Sequence, residues 1–207
     1  QSLCIKWFYF SSISGRKYVI LGEHDLSKDK DCEDEVEDDD ESGDYEDRQC
    51  ADPIQNITDF KVIPHPAYNF KNFTNDIALI KLNVAANISQ NNIKTVCLPF
   101  GLEEKNEDGK IMLVIGYGST ETASYSNILL KASLKFMSNE NCLMKLQEFY
   151  AKKGSTFSKP LSDRQFCAGG EGFKDSCKGD SGMPIQMIEN IILSSNGNSK
   201  FTWTQHG

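Results

Sequence analysis

Only three histidines, His24, His65 and His206, occur in 207 residues, so any imidazole chemistry must run through one of them. C-x-x-C pairs are absent, which argues against zinc ribbons and fingers. No apolar stretch approaches the ~18 residues that suggest a membrane-crossing helix, and no membrane span is expected. The opening "LCIKWFYF" (Leu3 to Phe10) lacks the basic start and small-residue exit of a secretory leader. It reads as a buried strand or a frayed terminus, and the true N-terminus is expected to lie further upstream. Net positive charge is missing too. A formal charge of −8 and a pI of 4.9 give a nucleic-acid partner no support.

That negative charge is local. Lys28 to Arg48, "KDKDCEDEVEDDDESGDYEDR", holds 13 acidic and 3 basic residues, a net −10 that leaves the rest of the chain at +2. The run is not an EF-hand, because Asp34 stands where the sharp-turn glycine belongs in a loop starting at Asp29. A solvated, mobile insertion is the plainer reading of such a composition. Seven cysteines (Cys4, Cys32, Cys50, Cys97, Cys142, Cys167, Cys177) are scattered without metal-ligand spacing, as disulfides in an oxidising compartment would be. Three glycosylation sequons, at Asn56 ("NIT"), Asn72 ("NFT") and Asn87 ("NIS"), agree with secretion to the extracellular space.

Short apolar runs punctuated by Gly, Asn and Ser dominate the pattern. "KYVIL" (Lys17 to Leu21), "ITDFKVIPHP" (Ile57 to Pro66), "DIALIKL" (Asp76 to Leu82), "TVCLP" (Thr95 to Pro99), "KIMLVIGYG" (Lys110 to Gly118) and "NILLKASLKFMS" (Asn127 to Ser138) all read as strands. One helix interrupts them. Ser138 caps "NENCLMKLQEFYAKK", Leu143, Leu146 and Tyr150 share a face, and Lys152, Lys153 and Gly154 supply the end. No internal repeat is present.

The stretch "KDSCKGDSGMP" (Lys174 to Pro184) carries the chemistry. A nucleophilic serine needs an adjacent base, an acid to orient that base, and N–H donors for the developing oxyanion. Glycines on both sides of Asp180–Ser181 permit the sharp turn that exposes a hydroxyl. Alone, G-D-S-G is also found in ordinary turns. Taken with "NDIALIKL", "VIGYGSTE" and "FCAGG", in this order and spacing, it resembles the trypsin-like serine proteases of the chymotrypsin fold, the S1 family. "LGEHD", "CADPIQNI" and "VIPHPAY" resemble the arthropod clip-domain subgroup in particular. The resemblance covers about Lys17 to Pro184.

It implies an all-β fold of two antiparallel six-stranded barrels, here incomplete, with one intermediate helix. Residues 1–16 would be a non-matching segment, 17–184 a partial protease domain with an acidic insertion at 28–48, and 185–207 a non-matching tail. By match to the family's motifs, Ser181 is the nucleophile and Asp76 the buried acid that orients the base. Gly179 and Ser181 form the oxyanion hole. Asp180 is the carboxylate that receives a new N-terminus on zymogen cleavage, and Asp175 is the floor of a pocket for Arg or Lys. Cys32 pairs with Cys50, and Cys142 with Cys167. Glu23 matches a carboxylate ligand of a loop calcium ion; no cofactor is otherwise required.

The resemblance breaks at the base. The family's T-A-A-H-C segment falls in "QSLCIKWFYFSSIS", which has no histidine. His24 matches a surface loop, His65 sits between prolines, and His206 lies in an unmatched end, so none is the base. Met183 replaces a glycine, and "IENIILSSNGNSKFTWTQHG" is expected to supply neither the pocket-lining strands nor the terminal helix. Cys97 and Cys177 are thereby left without their customary partners, as in a chain truncated at both ends. The expected protein is a secreted, monomeric trypsin-like endopeptidase that acts on protein substrates in an extracellular cascade and is inactive as written. The rival reading is a non-catalytic homologue that binds partners; a secreted acidic calcium-binding protein is a third.

Overall fold

The computed structural model describes residues 4–6, 9–13, 16–32, 50–98, 108–158, 161–162, 164–170, 172, 174–192 and 199–205. Its strands are β1 (Cys4–Lys6), β2 (Tyr9–Ile13), β3 (Arg16–Leu21), β4 (Gln55–Ile57), β5 (Phe60–Pro64), β6 (Ala78–Leu82) and β7 (Thr95–Cys97). There follow β8 (Ile111–Gly116), β9 (Leu130–Met137), the helix α1 (Asn139–Lys152), β10 (Cys167–Ala168), β11 (Ile185–Ile192) and β12 (Ser199–Gln205). Alternation becomes strand where one face meets a core. In β8, Met112 and Val114 are buried while Ile111 is exposed.

The strands form three sheets. β2-β3-β4 and β5-β6 lie in the N-terminal half, and a seven-stranded sheet runs β1-β7-β12-β11-β8-β9-β10. The expected all-β arrangement with one helix is present; no closed six-stranded barrel is seen among the described residues, and each half has a core. Val19, Leu21, Ile57 and Ile93 form the first, flanked by Phe60, Ile80 and Leu82. Met112, Phe136 and Met187 form the second, flanked by Phe166, Ala168 and Ile185.

Three expectations are corrected. The single strand expected over Ile57 to Pro66 divides into β4, which pairs with β3, and β5, which pairs with β6. Asp59 marks the break: its carbonyl accepts from Asn83 N–H at 3.1 Å and its carboxylate from Asn83 Nδ2 at 2.6 Å, which turns the chain from one sheet to the next. The tail that was to supply no strand forms the antiparallel pair β11–β12, with β11 set against β8 through Ile185↔Val114. Third, an upstream cysteine does stand across from Cys97, because β1 pairs with β7 in the register Cys4↔Cys97.

The helix behaves as its residues require. Ser138 Oγ accepts from Asn141 N–H at 3.4 Å, and Gly154 adopts φ 70° just past the end. Its one buried residue is Cys142, whose disulfide to Cys167 ties α1 to β10; Tyr150, expected to share a face with Leu143 and Leu146, is exposed. Cys32–Cys50 is the other expected bridge, and it closes the base of the acidic segment, whose residues 33–49 lie outside those described.

Candidate active site

The serine loop is a chain of tight turns. Asp180 N–H donates to the Cys177 carbonyl at 3.0 Å and Met183 N–H to the Asp180 carbonyl at 2.9 Å. Gly179 has φ 105° and Gly182 φ 86°, conformations that a Cβ would strain. Between these glycines, Ser181 is exposed.

What holds the loop is Asp180. Its Oδ1 accepts from Gly118 N–H and its Oδ2 from Cys177 N–H, both at 2.8 Å. Charge-assisted bonds of this kind are roughly twice as strong as neutral ones. The glycines of "VIGYG" make the seat: a Cβ on Gly116 would lie 2.0 Å from Asp180 Oδ1, and one on Gly118 2.5 Å from it. Sequence reasoning used these glycines only as a family signature and missed this steric role. Ser119 N–H also donates to the Lys178 carbonyl at 2.8 Å. A trans peptide points its N–H opposite its C=O, so the Gly179 N–H is directed away from Ser119. The orientation of one expected oxyanion donor is therefore fixed by a backbone bond from a neighbouring loop.

None of the other residues matched to the triad, nor His24 or His65, makes a hydrogen bond to this loop among the described residues. Asp76 is exposed, and its carboxylate accepts no hydrogen bond among the described residues, in contrast to the buried acid expected. It follows Asn75, whose φ of 54°, bond to the Ala67 carbonyl (3.0 Å) and contact with Arg164 Nη1 (3.4 Å) fix the local turn. His65 Nδ1 accepts from Ala67 N–H at 3.1 Å. In the triad, the Nδ1–H donates to the acid, so His65 has that nitrogen committed the wrong way. His24 is exposed, and its backbone lies in the turn with Glu23. His206 lies outside the described residues, and no hydrogen bond among them joins Ser181 to an imidazole. Asp175 is exposed, with Oδ1 accepting from its neighbour Ser176 N–H at 2.8 Å.

A second carboxylate group lies at the 23–31 turn. Glu23 Oε1 and Asp31 Oδ2 share the His24 N–H, at 2.9 and 3.1 Å. Asp31 Oδ1 is buried without a partner. Burial, and then the adjacent Asp31 carboxylate, push Glu23 above the ordinary carboxylate range despite the His24 bond. Two carboxylates, one of them with an orphaned oxygen, fit a hard, oxygen-seeking cation, although no cluster of three such side chains is found among the described residues. No helix among the described residues is long and apolar enough to cross a membrane.

Comparison with known proteins decides the family. The trypsin family model matches residues 18–200. The chain belongs to the trypsin family. Serine protease grass of Drosophila melanogaster is 36% identical over 81% of this chain and 40% of its own length. CLIP domain-containing serine protease B9 of Anopheles gambiae is 33% identical over 84% of this chain and 39% of its own. The crystal structure of the Drosophila Grass clip serine protease of the Toll pathway superposes with a TM-score of 0.69 at 25% identity, covering 97% of this chain and 58% of that one. Insect clip-domain serine proteases are thus among its relatives, and the chain spans about two fifths of the curated relatives' length.

Proposed function

We propose that this chain is protease-domain sequence of a secreted, clip-type trypsin-like endopeptidase of an extracellular cascade, and that these 207 residues alone do not turn over peptides. The observation that supports this is the split between loop and partners. Ser181 stands exposed on a turn held by Asp180, while Asp76 is exposed and His65 Nδ1 is engaged by Ala67. Without a base, Ser181 keeps its proton at neutral pH. Loss of a triad member costs on the order of 10⁴ to 10⁶ in turnover. In the intact enzyme, Ser181 attacks the scissile carbonyl, Gly179 and Ser181 N–H groups stabilise the oxyanion, and Asp76 orients the imidazole that this chain lacks.

Asp175 sets the substrate class. A carboxylate at the pocket floor pairs with Arg or Lys before the scissile bond. Assaying the full-length gene product on basic and aromatic peptides tests this reading, with the basic substrate expected to be faster. Faster turnover of the aromatic peptide would contradict it. The missing base favours a second reading, a non-cleaving homologue that binds cascade partners; full-length protein without activity on either peptide, yet retained by a cascade protease, would select it.

Glu23 and Asp31 would hold a calcium ion that braces the 23–31 turn. Calorimetry of Glu23→Gln should abolish calcium binding, whereas neutralising Asp38 to Glu41 should leave it. Equal loss in both variants would make the acidic run the site instead.

A further inference from the structure

The loop between β5 and β6 is costly as it stands. Asn69 and Thr74 form a bridge, with Asn69 N–H donating to the Thr74 carbonyl at 3.1 Å and Phe73 N–H to the Asn69 carbonyl at 2.8 Å. Phe73 at the tip has φ 56°, a left-handed conformation that is unfavourable for a bulky residue. Neither aromatic ring of the tip repays this by burial, since Phe70 is 69% and Phe73 58% exposed. Between them lies the sequon residue Asn72. Thr74 N–H and Oγ1 both donate to Asn72 Oδ1, at 3.3 and 2.9 Å. The oxygen of the amide is therefore turned into the loop, and its Nδ2 donates to nothing among the described residues.

We propose that Asn72 carries an N-linked glycan whose first sugar lies on the Phe70 ring, making the glycan a structural part of the 69–74 loop. The inference is independent of whether the protein cleaves peptides. In the covalent step, Asn72 Nδ2 bonds to C1 of an N-acetylglucosamine carried on a lipid diphosphate. The C1–O bond to the diphosphate breaks, the diphosphate leaves with the electron pair, and Nδ2 gives up one proton. The sequon governs transfer; the folded loop governs where the sugar rests. A sugar's C–H face is apolar and slightly positive, and it complements the negative face of an aromatic ring. The other two sequons are internal controls. Asn87 has the same side-chain bonds, from Ser89 N–H and Oγ at 3.1 and 2.7 Å, but Ala85 two residues before it. Asn56 lies on β4, with Ile54 in that place. Only Asn72 has an aromatic residue there.

The test expresses the 207-residue chain in a eukaryotic secretory host and maps glycopeptides by mass spectrometry. Amide hydrogen exchange at Phe73 and Thr74 is then compared before and after glycosidase treatment, in the wild type and in Phe70→Ala. Treatment converts Asn72 to Asp in both backgrounds, so that change cancels in the cycle. Asn72 is expected to be occupied. Deglycosylation should accelerate exchange about five-fold in the wild type, the scale of one aromatic contact, and by less than about two-fold in Phe70→Ala. A bare Asn72, equal acceleration in both backgrounds, or no protection in either glycoform would each overturn the proposal.

Discussion

Met112 and Leu79 are both apolar strand residues, and they meet opposite fates. Met112 on β8 is 1% exposed, covered by Phe136 and Met187 from neighbouring strands. Leu79 on β6 is 60% exposed, as is most of Ile77 just before the strand. Among the described residues β6 has β5 as its only sheet partner, whereas β8 is flanked by β9 and β11 in a seven-stranded sheet. A two-stranded ribbon cannot bury both its faces. The same division runs through the chemistry. Ser181, Asp180 and the Gly116–Gly118 seat belong to the well-covered half, while Asp76 and His65 belong to the ribbon's end, Asp76 exposed and His65 half-buried.

The comparison can be broken most easily at its two ends. Met112→Ala should destabilise the chain by about 2–5 kcal/mol, the usual cost of a core cavity. Leu79→Ala should change stability by no more than ~0.5 kcal/mol. Denaturant midpoints measure both; a large loss from Leu79→Ala would mean that the ribbon is covered in solution.

A smaller contrast concerns two carboxylates. Asp108 accepts from the Ser138 N–H, from Asn141 Nδ2 and from Ser138 Oγ at 3.2 Å, clasping the start of α1. The Ser138 N–H, and then the Asn141 and Ser138 side chains, hold Asp108 below the ordinary carboxylate range. A depressed carboxylate contributes stability above its unfolded pKa and loses it as pH falls through the folded value. Asp108→Ala should therefore lower Tm at neutral pH, and the difference from wild type should shrink on acidification below the ordinary carboxylate range. Asp76→Ala should leave Tm unchanged at either pH. A pH-independent penalty at Asp108 would show that its bonds matter only as packing.

Legibility in the sequence followed the range of the interactions. Ser138, Gly154 and the alternation of β8 and β9 act within a few residues, and the helix and those strands were readable from them. The disulfides Cys32–Cys50 and Cys142–Cys167 were readable only through family resemblance, since seven cysteines allow many pairings. The break at Asp59 depends on Asn83, and the strand character of 185–192 on β8, so neither shows in local composition. The serine loop was legible by motif. That Asp180 is satisfied by Gly118 and Cys177, and that Asp76 is exposed, depends on packing between distant segments.

The proposal that Ser181 sits on a formed but unactivated loop is tested by treating the expressed 207-residue chain with a fluorophosphonate, which labels serines whose hydroxyl is activated by a base. No labelling of Ser181 above that of a Ser181→Ala control is predicted. Stoichiometric labelling that Ser181→Ala abolishes would contradict the account, and would mean that His24, His65 or His206 reaches the serine as its base.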